Sequence, residues 1–223
     1  MLFPEKVAGI RAGDKVLEIG PGSLPHRRSD AFLELSFGND LERISQRGGV
    51  LAEVTLGQRP VHHYDGGRFP FSDGEFDYVI CSHVIEHVAD PQQFMQEIFR
   101  VGSGRGYLEY PLTTYEYLYD FEVHLQFLKF DGERRVLKYL PKKDTALHEF
   151  AAVSSFFRKS LESGWDDLCA ANKALFFEGF EFDKPFLVEK VSRVDAMQAS
   201  VSMISRKGRI RRLLGRVVNK LGL

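Results

Sequence analysis

The chain has 223 residues, of which 43% are hydrophobic and 27% are charged, and its formal net charge is −1. This length suits one α/β domain with a full core, and the composition is ordinary for a soluble globular protein. No apolar run is long enough for a membrane span or a signal peptide. Two cysteines, Cys81 and Cys169, exclude a disulfide framework and show no metal-ligand spacing. We therefore expect a cytoplasmic protein in which Cys81 is a buried structural thiol.

The first half of the chain contains short apolar segments that predict strands. Val16–Ile19 leads directly into the glycine turn 20–22, and Ala31–Leu35 and Val61–Tyr64 follow as a second and a third strand. A fourth strand, 76–81, is almost continuously apolar, as strands buried on both faces are.

A helix is predicted to begin at Asp90 and Pro91, which suit the N-cap and the first helical position. Its apolar stripe consists of Phe94, Met95, Ile98 and Phe99. The glycine-rich segment 102–106 ends this helix and leads into a strand at 107–110.

The second half begins with the aromatic-rich stretch 115–130, and a helix is predicted at 151–171. Two further strands, 175–182 and 186–191, are joined at 183–185 and are predicted to pair as an antiparallel edge.

Strands that alternate with crossovers favour a mostly parallel sheet covered on both faces, here over residues 16–111. Ligands bind such sheets beyond the carboxyl ends of the strands. Three acids lie at three successive strand ends: Glu18, Glu34 and Asp65. They suit, in that order, a cationic amino group, two ribose hydroxyls and an adenine amine of a ligand. Each acid alone would more often be a solvated loop residue.

Two motifs resemble those of a known family. The segment 16–22, VLEIGPG, resembles the first motif of class I S-adenosylmethionine-dependent methyltransferases. The segment 69–91, FPFSDGEFDYVICSHVIEHVADP, resembles the more specific signature of the small-molecule branch called type 11, and 96–106 resembles its continuation. The resemblance covers about residues 14–111.

The resemblance implies a Rossmann-like, seven-stranded, mostly parallel sheet with an antiparallel last strand, helices on both faces and S-adenosyl-L-methionine as the cofactor. It implies one methyltransferase domain over 1–205, with its core at 14–111, an aromatic-rich substrate or lid insertion at about 112–150 and C-terminal strands at about 175–192. The cofactor-binding residues carried over from the family are Glu18, Gly20, Pro21, Gly22, Glu34, Asp65, Ser82 and His83.

The sequence departs from the family after the glycine turn. Ser23-Leu24-Pro25 replaces the usual third glycine, and only residues 23–30 separate the turn from the next strand. That is too short for a crossover helix, so we expect a helical turn or an irregular loop. Asp40 is the alternative to Glu34 as the ribose acid. The segment 102–106 also lacks the usual lysine-proline but keeps its glycines.

Three histidines are candidates for a general base in methyl transfer: His83, His87 and His124. The alternatives are that His87 only braces the turn after the fourth strand and that His124 is a surface residue. The pair His62-His63 has no ligand partner at metal spacing, so no metal site is predicted.

The acceptor is predicted to be a small molecule or a glycan- or lipid-linked precursor. The alternative function is a non-catalytic S-adenosylmethionine-fold protein that binds or scaffolds. A dinucleotide-dependent oxidoreductase would require G-x-G-x-x-G, which Leu24-Pro25 interrupts.

The C-terminal segment differs in charge from the rest of the chain. From Arg206 onwards it carries seven basic and no acidic residues. Because the net charge of the whole chain is −1, the residues before Arg206 carry a net charge of −8. Its apolar residues share one helical face: Ile210, Leu213, Leu214, Val217, Val218 and Leu221. A basic amphipathic helix at 206–223 would dock on the protein or a second subunit, or make peripheral contact with a membrane. Few aromatic residues and no RNA-binding motif argue against nucleic acid.

Overall fold

The computed structural model describes residues 1–22, 24–36 and 56–197. The predicted helix at 206–223 and Asp40 lie outside the described residues. The strands are β1 (Val16–Ile19), β2 (Ala31–Leu35), β3 (Val61–Tyr64), β4 (Tyr78–Ser82), β5 (Gly106–Pro111), β6 (Gln126–Asp131), β7 (Val136–Pro141), β8 (Phe177–Phe182) and β9 (Leu187–Lys190). The α-helices are α1 (Pro91–Val101), α2 (Thr113–Tyr119), α3 (Ala151–Ser160) and α4 (Asp166–Ala171).

Six strands form the main sheet in the order β3-β2-β1-β4-β5-β8. The first five are parallel, whereas β8 is antiparallel to β5. The predicted Rossmann-like class with a reversed last strand is thus confirmed. The predicted count of seven is wrong for the described residues, because the chain beyond β8 leaves this sheet.

A second sheet has the order β6-β7-β9. The prediction that 175–182 and 186–191 pair with each other is wrong, since β9 runs parallel to β7. The link between β8 and β9 contains Pro185, and Phe186 packs against Phe99 and Phe182 with ring centroids 5.0 and 5.3 Å apart. This packing leads the chain away from the edge of the main sheet.

Strand β4 shows why the main sheet has a core on both faces. Val79 and Cys81 pack in one hydrophobic cluster, whereas Tyr78 and Ile80 pack in another. Cys81 is buried, as predicted. Alternate side chains of a strand point to opposite faces, so a continuous apolar run fits a strand covered on both.

Helix α1 begins as predicted: Gln93 N donates to Asp90 Oδ1 at 3.0 Å. The predicted helix at 151–171 is instead two helices, α3 and α4, because the chain bends at Gly164, where φ is +93°. Among the described residues, no helix combines the length and the hydropathy that crossing a bilayer requires.

Candidate functional site

The glycine turn lies where β1 ends, beside the carboxyl ends of β2 and β4. Gly20 N donates to Leu33 O at 2.9 Å, and the φ angles of Gly20 and Gly22 are +60° and +57°. A Cβ on Gly20 would lie 2.5 Å from Val84 Cγ2, whereas no described atom lies within 4 Å of one on Gly22. Gly20 therefore allows close packing against the segment after β4, and Gly22 leaves its outer side accessible to a ligand.

Glu18 is a buried carboxylate in the middle of β1, paired in register with Phe32 and Ile80. Its Oε2 accepts from Ser29 Oγ at 2.6 Å and from His26 N at 2.8 Å. Burial raises the pKa of Glu18, although these two hydrogen bonds oppose the shift. Glu18 thus anchors the loop that follows the glycine turn, and residues 24–30 of that loop form no helix, in line with the expectation of an irregular loop.

The other two predicted acids lie on the same edge of the sheet. Glu34 is half-buried in β2 and pairs in register with His63 of β3. Asp65 directly follows β3, is exposed, and accepts from Gly67 N through Oδ1 at 3.1 Å. Because parallel strands end at one edge, the fold brings both acids to the edge where the glycine turn lies.

His83 follows β4 with a left-handed backbone, φ +56°. Its Nε2 lies 2.9 Å from Glu109 Oε1, and its Nδ1 lies 3.4 Å from Glu86 Oε1. Burial alone would lower the pKa of His83, but the two carboxylates outweigh it and raise the pKa to about 9. A histidine that keeps its proton at neutral pH is poorly suited to act as a general base.

Glu109 is a site residue that sequence reasoning missed. It is buried in β5 and accepts from Ser82 Oγ at 2.9 Å, Leu2 N at 2.6 Å and Phe3 N at 3.0 Å. Burial opposes its ionisation, yet His83 and the hydrogen-bond donors lower the pKa of Glu109 to about 2. The signal was present in the sequence, since Glu109 interrupts an otherwise apolar strand.

The structure brings His87 and His124 together, with ring centroids 4.7 Å apart and planes at 87°. His87 lies in the helical turn Ile85–His87 directly after β4, and His124 lies between α2 and β6. Burial lowers the pKa of His87, and Glu86 opposes this shift only in part. His83 contacts Glu86, the residue next to His87, with Nδ1 at 3.4 Å from Glu86 Oε1.

Comparison with known proteins finds a family that matches the part of the chain containing the second motif. Residues 38–109, about a third of the chain, match the family described as methyltransferase domain. This match confirms the resemblance to type 11 methyltransferases, and the cofactor of such a domain is S-adenosylmethionine. None of the curated proteins searched matches the chain.

Several solved structures are similar to parts of the chain. The PH0226 protein of Pyrococcus horikoshii is 20% identical over 61% of this chain and 66% of its own, with a TM-score of 0.39. The YcgJ protein of Bacillus subtilis is 22% identical over 48% of each chain, with a TM-score of 0.35. An S-adenosylmethionine-dependent methyltransferase from Mesorhizobium loti is 15% identical over 47% of this chain and 50% of its own, with a TM-score of 0.34. The match thus spans about half of the YcgJ and Mesorhizobium chains.

Proposed function

We propose that this methyltransferase domain transfers the methyl group of S-adenosylmethionine to a small-molecule or a glycan- or lipid-linked acceptor. The observation that carries the proposal is the exposed glycine Gly22, which has a left-handed backbone on the same sheet edge as Glu18, Glu34 and Asp65. A turn of this kind lets a ligand approach the backbone closely, and acids at the neighbouring strand ends suit its amino and hydroxyl groups.

The residues proposed to hold the cofactor keep the roles expected from the sequence. The backbone of 20–22 would lie beneath it, and Glu34 and Asp65 would accept from the ribose and the adenine. Ser29 and His26 both donate to Oε2 of Glu18, and a carboxylate has acceptor sites on both oxygens. A cationic amino group near Oε1 would offset the burial of this charge.

When bound, the cofactor supplies a methyl group that is already activated on a sulfonium. The chain then has to align the acceptor and exclude water. Ser82 ends β4 and His83 follows it, and both are fixed by Glu109, so they are proposed to line the methyl-transfer side as positioning residues. Of the three predicted base candidates, His83 holds its proton, which leaves His87 and His124. Each of these two has only Nε2 available, because Nδ1 is hydrogen-bonded.

A titration of the full chain with S-adenosylmethionine tests the proposal. The variant Gly22→Asn tests the turn, because asparagine tolerates a left-handed backbone and its side chain would occupy the ligand side of the turn. Gly13→Asn is the matched control, because Gly13 is also exposed, has φ +89°, and has no described atom within 4 Å of a Cβ. Gly13 precedes β1 and so lies at the opposite end of that strand. Gly20 is less suitable, since a side chain there would meet Val84.

We expect Gly22→Asn to weaken binding by roughly tenfold or more, with Gly13→Asn close to the unaltered protein. Equal binding by both variants would overturn the placement of the cofactor. An unaltered protein that gives neither heat nor a thermal shift would refute the enzyme and favour the non-catalytic alternative. The irregular loop anchored by Glu18 is the observation that favours that alternative. Membrane contact through 206–223 stays a prediction.

A further inference from the structure

Glu86 is a buried carboxylate without a hydrogen bond. It is fully buried in the turn after β4, and neither Oε1 nor Oε2 has a hydrogen-bond partner among the described residues. Its one ion-pair contact there is His83 Nδ1 at 3.4 Å, and His83 also serves Glu109 at 2.9 Å. Burying an ionised carboxylate is costly unless it is paired or coordinates a metal, so Glu86 lacks a full complement of partners.

His87 and His124 both hold their Nδ1 atoms against groups that can only accept. His87 Nδ1 lies 3.0 Å from Val123 O, and His124 Nδ1 lies 2.6 Å from Glu116 Oε1. Each ring therefore carries its proton on Nδ1 when neutral, and Nε2 keeps a free lone pair. A hydrogen bond from one ring nitrogen to a carboxylate or a backbone carbonyl is the usual support of a metal-binding histidine.

Glu116 is itself fixed by a buried network behind His124. Its Oε2 accepts from Lys142 Nζ at 3.0 Å, and the same ammonium lies 2.7 Å from Asp120 Oδ1 and donates to Phe121 O at 2.9 Å. Glu116 and Lys142 are both buried. Because these contacts leave the Glu116 carboxylate little freedom, they fix the orientation of the His124 ring.

We propose that Glu86, His87 and His124 bind a divalent transition-metal ion. One ligand atom from each residue lies within 4.8 Å of the other two. Zinc–ligand bonds of about 2.0–2.1 Å place tetrahedral ligands about 3.4 Å apart, so small side-chain rotations would close the site. Two imidazoles and one carboxylate favour zinc or a similar ion over magnesium or calcium, which prefer oxygen ligands.

The sequence predicted no metal site because Glu86 and His87 are adjacent, whereas His124 comes from another loop. The proposed site goes beyond methyl transfer and does not depend on it. An ion there would use the Nε2 lone pairs of His87 and His124, so neither imidazole would act as a general base while the ion is bound. Three protein ligands leave a coordination position for water or an acceptor oxygen. Its location directly after β4 sets it near Ser82 and His83, on the side proposed for the acceptor.

Zinc binding to the full chain tests this site. The protein is stripped with a chelator and titrated with zinc chloride in the absence of S-adenosylmethionine, with magnesium chloride as a comparison. His124→Asn removes Nε2 but keeps an amide that can donate to Glu116, and His87→Asn removes the second imidazole. His63→Asn is the control, because His63 is an exposed histidine of β3 outside the cluster.

We expect about one zinc ion per chain, a loss of affinity of roughly 10- to 100-fold in Glu116→Gln, and a larger loss in both ligand variants. His63→Asn should bind as the unaltered protein does. Thermal unfolding without zinc shows whether each variant folds, and a folded His87→Asn suffices if His124→Asn does not fold.

Absence of a stoichiometric zinc site, or unchanged affinity in a folded ligand variant, would overturn the inference. Because the cofactor titration is run separately with chelator present, failure of one proposal is distinguishable from failure of the other.

Discussion

His83 Nε2 lies 2.9 Å from Glu109 Oε1, which links the residue after β4 to the middle of β5. Glu109 also accepts from the backbone of Leu2 and Phe3, so one buried carboxylate joins three segments of the chain. The same contact helps to offset the strain of the left-handed backbone at His83, because it holds the imidazole against the Glu109 carboxylate.

The first prediction concerns the pH dependence of stability. Glu109 has a pKa of about 2 in the folded protein, below its ordinary value of 4.5. Its contribution is therefore present above about pH 4.5 and is lost as the pH falls towards 2. We expect Glu109→Gln to have a lower free energy of unfolding than the unaltered protein at neutral pH. On acidification the variant should lose less of that free energy than the unaltered protein does, and the two losses should differ by at most about 3 kcal/mol. Urea unfolding at about pH 6 and about pH 3 measures it, and parallel losses would contradict the assignment.

The second prediction separates binding from stability at Glu18. Burial raises the pKa of Glu18, so folding disfavours its charged form relative to the unfolded chain. Glu18→Gln removes that charge and keeps an acceptor for Ser29, so we expect unchanged or greater stability at about pH 7. Affinity for S-adenosylmethionine should fall by roughly tenfold or more.

Ser29→Ala is the matched comparison for Glu18→Gln. It removes the hydroxyl donor to Glu18 and keeps the charge. Calorimetric titration and thermal unfolding of both variants provide the measurement. A Glu18→Gln protein that binds the cofactor normally would mean that Glu18 serves only to anchor the loop.

The third prediction concerns the packing of α1 on β4. A Cβ on Gly102 would lie 2.4 Å from Val79 Cγ2 and 2.9 Å from the backbone oxygen of Ile98. We expect Gly102→Ala to lower the free energy of unfolding by about 1–3 kcal/mol, because the strand and helix must move apart. Gly132→Ala is the control, since no described atom lies within 4 Å of a Cβ there. Similar denaturant midpoints for the two variants would show that the contact relaxes without cost.

Local patterns were sufficient to predict much of the main sheet. Val16–Ile19, Ala31–Leu35 and Val61–Tyr64 form strands at their predicted bounds, and Asp90 caps the predicted helix. These features depend on alternation, burial and capping within a few residues of the chain. The cofactor was predicted from the motifs 16–22 and 69–91 in that order. Each motif is a continuous segment, so no long-range contact was needed to find it.

Long-range pairing could not be predicted in the same way. Leu187–Lys190 is a strand as expected, but its partner Val136–Pro141 lies about fifty residues earlier, and periodicity does not specify a partner. The same limit hid the meeting of His87 with His124 and the support of His124 by Glu116. The interruption of the predicted helix at Gly164 was also missed, because the apolar spacing continues across this residue although the backbone there is not helical.

The pairing of β9 with β7 restricts how this protein can be re-engineered. The segment 112–150, which the sequence predicts to be a substrate or lid insertion, is a candidate for exchange with the corresponding segment of a relative. Yet Val136–Pro141 holds Leu187–Lys190 in register, and that strand comes from beyond the segment. A chimaera that replaces only 112–150 would leave an orphan strand edge at 187–190, which favours aggregation. Both pieces therefore have to be grafted together.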